Sequence, residues 1–71
     1  MNYKVQLQGL HCDACKKITQ KRLGKLEGVT LVTVDVDAQT ALIQSNSVID
    51  QVQAENALKD TEYKVTAFVE V

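Results

Sequence analysis

Two hydrophobic periods alternate along this chain, and their order leaves few folds open. Tyr3-Lys4-Val5-Gln6-Leu7-Gln8 alternates strictly, with Tyr3, Val5 and Leu7 on one face, as a half-buried strand does. Gly9 ends that stretch. From about Ala14 to Leu26 the period becomes helical, with Ile18, Leu23 and Leu26, joined by Ala14 or Cys15, as the inward stripe. Asp13 is suited to cap this helix, and Glu27-Gly28 to stop it, since glycine accepts the left-handed turn after a helix. Val29 to Val36 is rich in β-branched residues and predicts a strand with Val32, Val34 and Val36 facing one way. The polar turn Asp37-Ala38-Gln39 joins it to Thr40–Gln44 as a hairpin. Asn46 or Ser47 then caps a second helix over about residues 48–60, whose apolar positions (Val48, Ile49, Val52, Ala54, Ala57, Leu58) are less cleanly striped. From Glu62 to Val71 alternation returns, with Tyr63, Val65, Ala67, Val69 and Val71 on one parity.

Strand, helix, strand, strand, helix, strand contains two β-α-β units, each of which wants a right-handed crossover. Sharing one sheet, they predict an α+β fold of the split β-α-β, or ferredoxin-like, kind: four antiparallel strands with both helices on one face. No linker interrupts residues 1–71, so the expectation is a single small domain with a modest core. The 45% apolar and 24% charged content argues against disorder. No apolar run approaches the ~20 residues of a membrane span, and no secretory signal precedes the first strand. Read as a complete chain, it belongs in the cytoplasm, without membrane insertion. There, two cysteines indicate a metal or redox pair rather than a structural disulfide.

Those two cysteines and the single histidine fall in one stretch, Gly9-Leu10-His11-Cys12-Asp13-Ala14-Cys15. Residues three apart share a helix face, so Cys12 and Cys15 can direct their sulfurs to a common spot. A helix N-terminus, with Lys16 and Lys17 close by, favours thiolate over thiol; Asp13 opposes this. Thiolates are soft ligands that suit Cu(I) and also bind zinc and heavier ions. Zinc prefers four ligands, and one chain offers two sulfurs with His11 or Asp13 as accessories, too few for a closed structural site. Two thiolates suffice for Cu(I), and an under-coordinated ion leaves room for an incoming ligand. The same spacing at a helix start also serves thiol–disulfide exchange, although the Trp and Pro that frame thioredoxin motifs are absent. Buried, inert cysteines are a poor fit to a loop flanked by His11, Asp13 and two lysines.

Charge is unevenly laid out. Net charge is −1, yet residues 14–25 carry Lys16, Lys17, Lys21, Arg22 and Lys25 without an acid, while eight of the nine acids lie from Glu27 onward. A solvated helix face is the simple reading, and a docking surface for an acidic protein partner the sharper one. Nucleic acid is disfavoured, because the domain is net acidic and the basic segment carries no aromatic residue.

The cysteine stretch resembles the Gly-Met-x-Cys-x-x-Cys signature of heavy-metal-associated domains, the small copper chaperones and N-terminal modules of copper- and zinc-exporting P-type ATPases. Leu23-x-x-Leu26-x-Gly28-Val29-x-x-Val32-x-Val34 resembles the family's helix-to-strand segment, and Tyr63 the tyrosine of its Gly-Tyr pair before the last strand. The resemblance implies a cytosolic Cu(I) chaperone, not an enzyme, with Cys12 and Cys15 as ligands. His11 is a candidate accessory ligand, since a neutral imidazole can coordinate, against the simpler reading of a variable exposed residue before Cys12. Leu10, where the family usually has Met, would pack beneath the loop, a swap of similar volume. Tyr63 would shield the loop, and Glu62, in place of the family's glycine, brings a negative charge near. The implied partner is a copper-transporting P-type ATPase or its metal-binding domain, met through Lys16, Lys17, Lys21 and Lys25. A monomer is expected without metal, and a metal-bridged dimer with it. Zinc, cadmium or mercury as cargo of a transporter module, a thiol–disulfide redox protein and a metal-free interaction domain are the alternatives.

Overall fold

Tyr3, Val5 and Leu7 are buried and their neighbours exposed along β1 (Asn2–Gln8), the alternation read from the sequence. The structure, a computed structural model, describes residues 1–11 and 13–71. After β1 come α1 (Asp13–Gly24), β2 (Val29–Asp35), β3 (Thr40–Ser45), α2 (Gln51–Ala57) and β4 (Lys64–Glu70). The strands form one antiparallel sheet in the order β2-β3-β1-β4. This is the ferredoxin-like arrangement, with α1 packed on β2 and α2 on β4. The core between helices and sheet gathers Val5, Leu7, Leu10, Leu23, Val34, Ile43, Ile49 and Leu58. Tyr3 stacks on Phe68 with ring centroids 5.2 Å apart. Among the described residues no helix is long and apolar enough to cross a membrane.

Several local expectations need correction. Asp13 is the first residue of α1 rather than the residue before it, and Cys12, which precedes it, lies outside the described residues. The helix ends at Gly24, not Leu26, because the Lys25 and Leu26 N–H groups donate to carbonyls only three residues back. Gly28 takes the left-handed conformation (φ 87°), and a Cβ there would lie 2.6 Å from the Ser47 Cβ. The inward face of α1 is Thr19 and Leu23, flanked by Cys15 and Leu26; Ala14 is exposed and Ile18 is 41% exposed. Residues 15, 19 and 23 follow the i, i+4, i+8 row, Leu26 packs on the core just past the helix end, and Ile18 lies at the edge of the row.

The second helix is shorter than residues 48–60 and starts later. Ser45 and Ser47 bond to one another across a turn, and the Ile49 N–H donates to the Tyr3 hydroxyl at 3.2 Å. Those bonds hold residues 45–49 outside a helix, so neither Asn46 nor Ser47 is the cap. Asp50 is: its carboxylate accepts from the Gln53 N–H and the Gln53 side chain accepts from the Asp50 N–H, a reciprocal box contributing about 1 kcal/mol. Val48 and Val52 are exposed, whereas Ile49, Ala54 and Leu58 are buried.

In β4 the single-parity reading fails after Val65. Gln6 pairs with Ala67 but Leu7 with Val65, so Thr66 is an extra residue that shifts the register. Past this bulge Phe68 faces inward, and Ala67, Val69 and Val71 are exposed. Thr30 is the extra residue in β2 in the same way. Each threonine hydroxyl donates to a carbonyl across the bulge, Thr30 to Gln44 and Thr66 to Gln6.

The inward face of α1 is testable by substitution. Thr19 is fully buried and its hydroxyl has no hydrogen-bond partner among the described residues, an arrangement that costs free energy. Thr19→Val keeps the shape and removes the orphan oxygen, so it should raise stability by about 1 kcal/mol. Leu23→Ala should cost about 3 kcal/mol by opening a cavity, and Ile18→Ser about 0.5 kcal/mol or less. One series of thermal denaturation curves checks all three.

Candidate metal-binding loop

The Cys-x-x-Cys stretch leaves the end of β1, one of the two interior strands, and runs into the first turn of α1. Gly9 makes the corner with φ 99°, a conformation that glycine adopts without steric cost. A Cβ on it would lie 3.1 Å from the Glu62 carbonyl oxygen and 3.6 Å from the Tyr63 ring. The residues before β4 therefore press directly on the start of the loop. Leu10 follows, 3% exposed, its side chain in the hydrophobic core. Hence the loop is held by an apolar anchor two residues before Cys12.

Cys12 lies outside the described residues. Cys15 lies in the first turn of α1, half-buried and packed against the core. His11 is exposed and, with Asp13 and Lys16, lines a cavity of about 490 Å³ against residues 33–37. Among the described residues no three His, Cys, Asp or Glu side chains converge as a metal site. Tyr63 is 9% exposed, and its ring stands beside Gly9. The Tyr63 N–H donates to the Thr61 hydroxyl, which donates to the Leu58 carbonyl at 2.6 Å, tying the turn before β4 to the end of α2.

The basic residues of α1 do not form one patch. Lys17 and Lys21, four residues apart on α1, share a face, and Lys25 just past the helix end lines the same groove as Lys21, whereas Lys16 sits on the opposite flank in the cavity with His11. Lys21, Arg22 and Lys25 form one wall of an open groove of about 670 Å³, with Ile18 beside them. Its other wall is Asp60, Thr61, Glu62 and Tyr63. Arg22 meets Asp60 at 3.7 Å, a solvent-exposed pair worth little in stability. Glu62 thus lines the same groove as Lys21, Arg22 and Lys25.

Gln39 is the residue of the loop's surroundings that the sequence reading passed over as part of a polar turn. Its side-chain amide bonds to both backbone groups of Leu10, at 3.0 Å and 2.5 Å. A glutamine at a position of positive φ, where glycine or asparagine is usual, becomes conspicuous only once the backbone is known.

A solved structure described as the CopZ metallochaperone superposes on this chain with a TM-score of 0.83, at 24% identity, over 93% of this chain and all of that one. In sequence the chain is 30% identical over 66 residues to the copper chaperone CopZ of Staphylococcus haemolyticus (strain JCSC1435), covering 92% of this chain and 97% of that protein. It is 28% identical over 65 residues to the COP-associated protein of Helicobacter felis (strain ATCC 49179 / CCUG 28539 / NCTC 12436 / CS1), covering 92% of this chain and 98% of that protein. The heavy-metal-associated domain matches residues 4–64, and the chain belongs to that family.

Proposed function

We propose that this protein binds one Cu(I) ion through Cys12 and Cys15 and passes it to an acceptor by thiolate exchange. The observation that carries the reading is the position of the Cys-x-x-Cys stretch: anchored by Leu10 in the core on one side, and entering the first turn of α1 on the other. Helix N-terminal N–H groups favour thiolates there, and thiolates are the ligands that Cu(I) prefers. The similarity to a copper chaperone supports copper as the cargo. Transfer needs no oxidation or reduction. An incoming thiolate from the acceptor bonds to the ion, one of the protein's own thiolates leaves, and the second exchange follows. No covalent bond of a substrate is made or broken, so the protein acts as a carrier rather than an enzyme, in the cytoplasm.

The acceptor we infer is the metal-binding domain of a copper-transporting P-type ATPase, presenting an acidic surface. Lys17 and Lys21 on α1, with Lys25 just past its end, form the row that would meet it. Lys16 lies on the other flank with His11, away from this row. His11 is exposed beside the loop and available as an accessory ligand. Without metal the protein is a monomer; two loops facing each other would supply four thiolates and bridge a dimer.

Anaerobic titration of the reduced protein with Cu(I), competed against a chromophoric chelator, tests the cargo. Tight one-to-one binding is expected, lost when Cys12→Ser and Cys15→Ser are combined, with Zn(II) bound far more weakly. Preference for Zn(II), Cd(II) or Hg(II) would reassign the cargo. Cu(I) affinity surviving in the double variant would refute the ligand set and make the disulfide potential of the pair the next quantity to measure. Docking is tested by stopped-flow transfer to an acidic metal-binding domain at two salt concentrations. Combining Lys17→Glu, Lys21→Glu and Lys25→Glu should slow association by about tenfold or more at low salt and invert its salt dependence, so that added salt speeds it. Lys16→Glu should change it much less; equal effects of the two variants would disprove the assigned face.

A further inference from the structure

Gln39 occupies the turn between β2 and β3 with φ 55°, in the left-handed region that a residue with a Cβ enters only at a cost. It is the one non-glycine residue with positive φ among the described residues. Glycine would sit there unstrained, so the work done by the glutamine side chain is informative.

The primary amide reaches the start of the cysteine loop. The Leu10 N–H donates to Oε1 at 3.0 Å, and Nε2 donates to the Leu10 carbonyl at 2.5 Å. Nε2 donates in addition to the Val36 carbonyl at 2.7 Å, which closes the turn that carries Gln39. One N–H and two carbonyls around the amide demand one acceptor and two donors, so a reversed amide would set N–H against N–H. The main chain adds a further bond, from the Leu7 N–H to the Gln39 carbonyl at 2.7 Å. Pairing of β1 with β3 ends at Gln6 opposite Thr40, and with β4 at Gln8 opposite Lys64. Beyond those points Leu10 has no strand neighbour, and the Gln39 amide supplies the donor and acceptor that a strand would have offered.

We propose that Gln39 is a positioning residue for the Cys12–Cys15 loop: by clamping both backbone groups of Leu10 it orders the loop before the metal ion arrives. This rests on the metal-binding reading above. Leu10 is fixed by its side chain in the core and by its backbone on Gln39, so the segment entering Cys12 keeps little freedom. Ordering a ligand loop in advance lowers the entropy cost of binding, and residues that orient metal ligands affect affinity without touching the ion. A purely structural glutamine would instead support the hairpin and leave affinity alone.

Two variants separate those roles. Gln39→Gly removes the amide and relieves the positive φ; Gln39→Asn keeps an amide one methylene too short, on a residue that tolerates this backbone. In the metal-free full chain, hydrogen exchange at the Leu10 amide should accelerate in both, while amides in the middle of β1 and β3 keep their protection. Cu(I) affinity, measured by chelator competition, should fall about tenfold or more. The proposal is overturned if the Leu10 amide stays protected, or if it loosens while Cu(I) affinity remains within about twofold of the unsubstituted protein. The Cys12→Ser, Cys15→Ser double variant runs beside them. An unsubstituted protein binding Cu(I) no better than that variant would refute the metal reading itself, whereas tight binding shared by both Gln39 variants would refute only the role of Gln39.

Discussion

β1 is hydrogen-bonded along both of its edges. An interior strand has no free edge, so its register is set by β3 on one side and β4 on the other. Tyr3, Val5 and Leu7 are thereby committed to the core, and a slip by one residue would bury Lys4 and Gln6 instead. The cysteine loop is the continuation of this strand. Gly9 turns the chain, Leu10 returns to the core, and the loop begins from a point whose position the whole sheet determines.

That placement gives the loop two different ends. At its start, Leu10 is held by core packing and by the Gln39 amide, and the Glu62 carbonyl and Tyr63 ring press on Gly9. At its far end Cys15 joins a helix whose outer surface is basic and solvated. Between them His11 is exposed. A soft ion held at such a site would sit on a rigid support and still be reachable, which is what handing it on requires. The charged groove along Lys21, Arg22 and Lys25 lies outside the core, so its electrostatics can serve a partner without a penalty of burial.

The bulges at Thr30 and Thr66 shape the sheet in matching ways. Each adds one residue to an outer strand, β2 or β4, and leaves the two interior strands regular. Each inserted residue is a threonine whose hydroxyl donates to the carbonyl opposite, partly replacing the ladder bond that the insertion disrupts. The bulge in β4 also brings Phe68 inward, where it stacks on Tyr3; the Tyr3 hydroxyl in turn accepts from the Ile49 N–H. One register shift thus links the final strand to the approach to α2.

The order of elements, the inward faces of β1 and β2, the hairpin and the position of the cysteine stretch were all legible in the sequence. They follow from period, glycine placement and motif spacing, which are local properties. The tertiary structure decided the rest. Thr19 rather than Ile18 is buried on α1 because the sheet beneath selects which part of the helix surface it covers, and a sparse apolar stripe leaves that choice open. Asp50 caps α2 because Ser45, Ser47 and Tyr3 hold the preceding residues in a turn. Val69 and Val71 face solvent because the bulge at Thr66 shifts the register of β4 on β1. Gln39 reads as a polar turn residue until folding brings it against Leu10, 29 positions away. Hydrogen bonds between distant segments leave no periodic trace in a sequence, so only the folded chain reveals them.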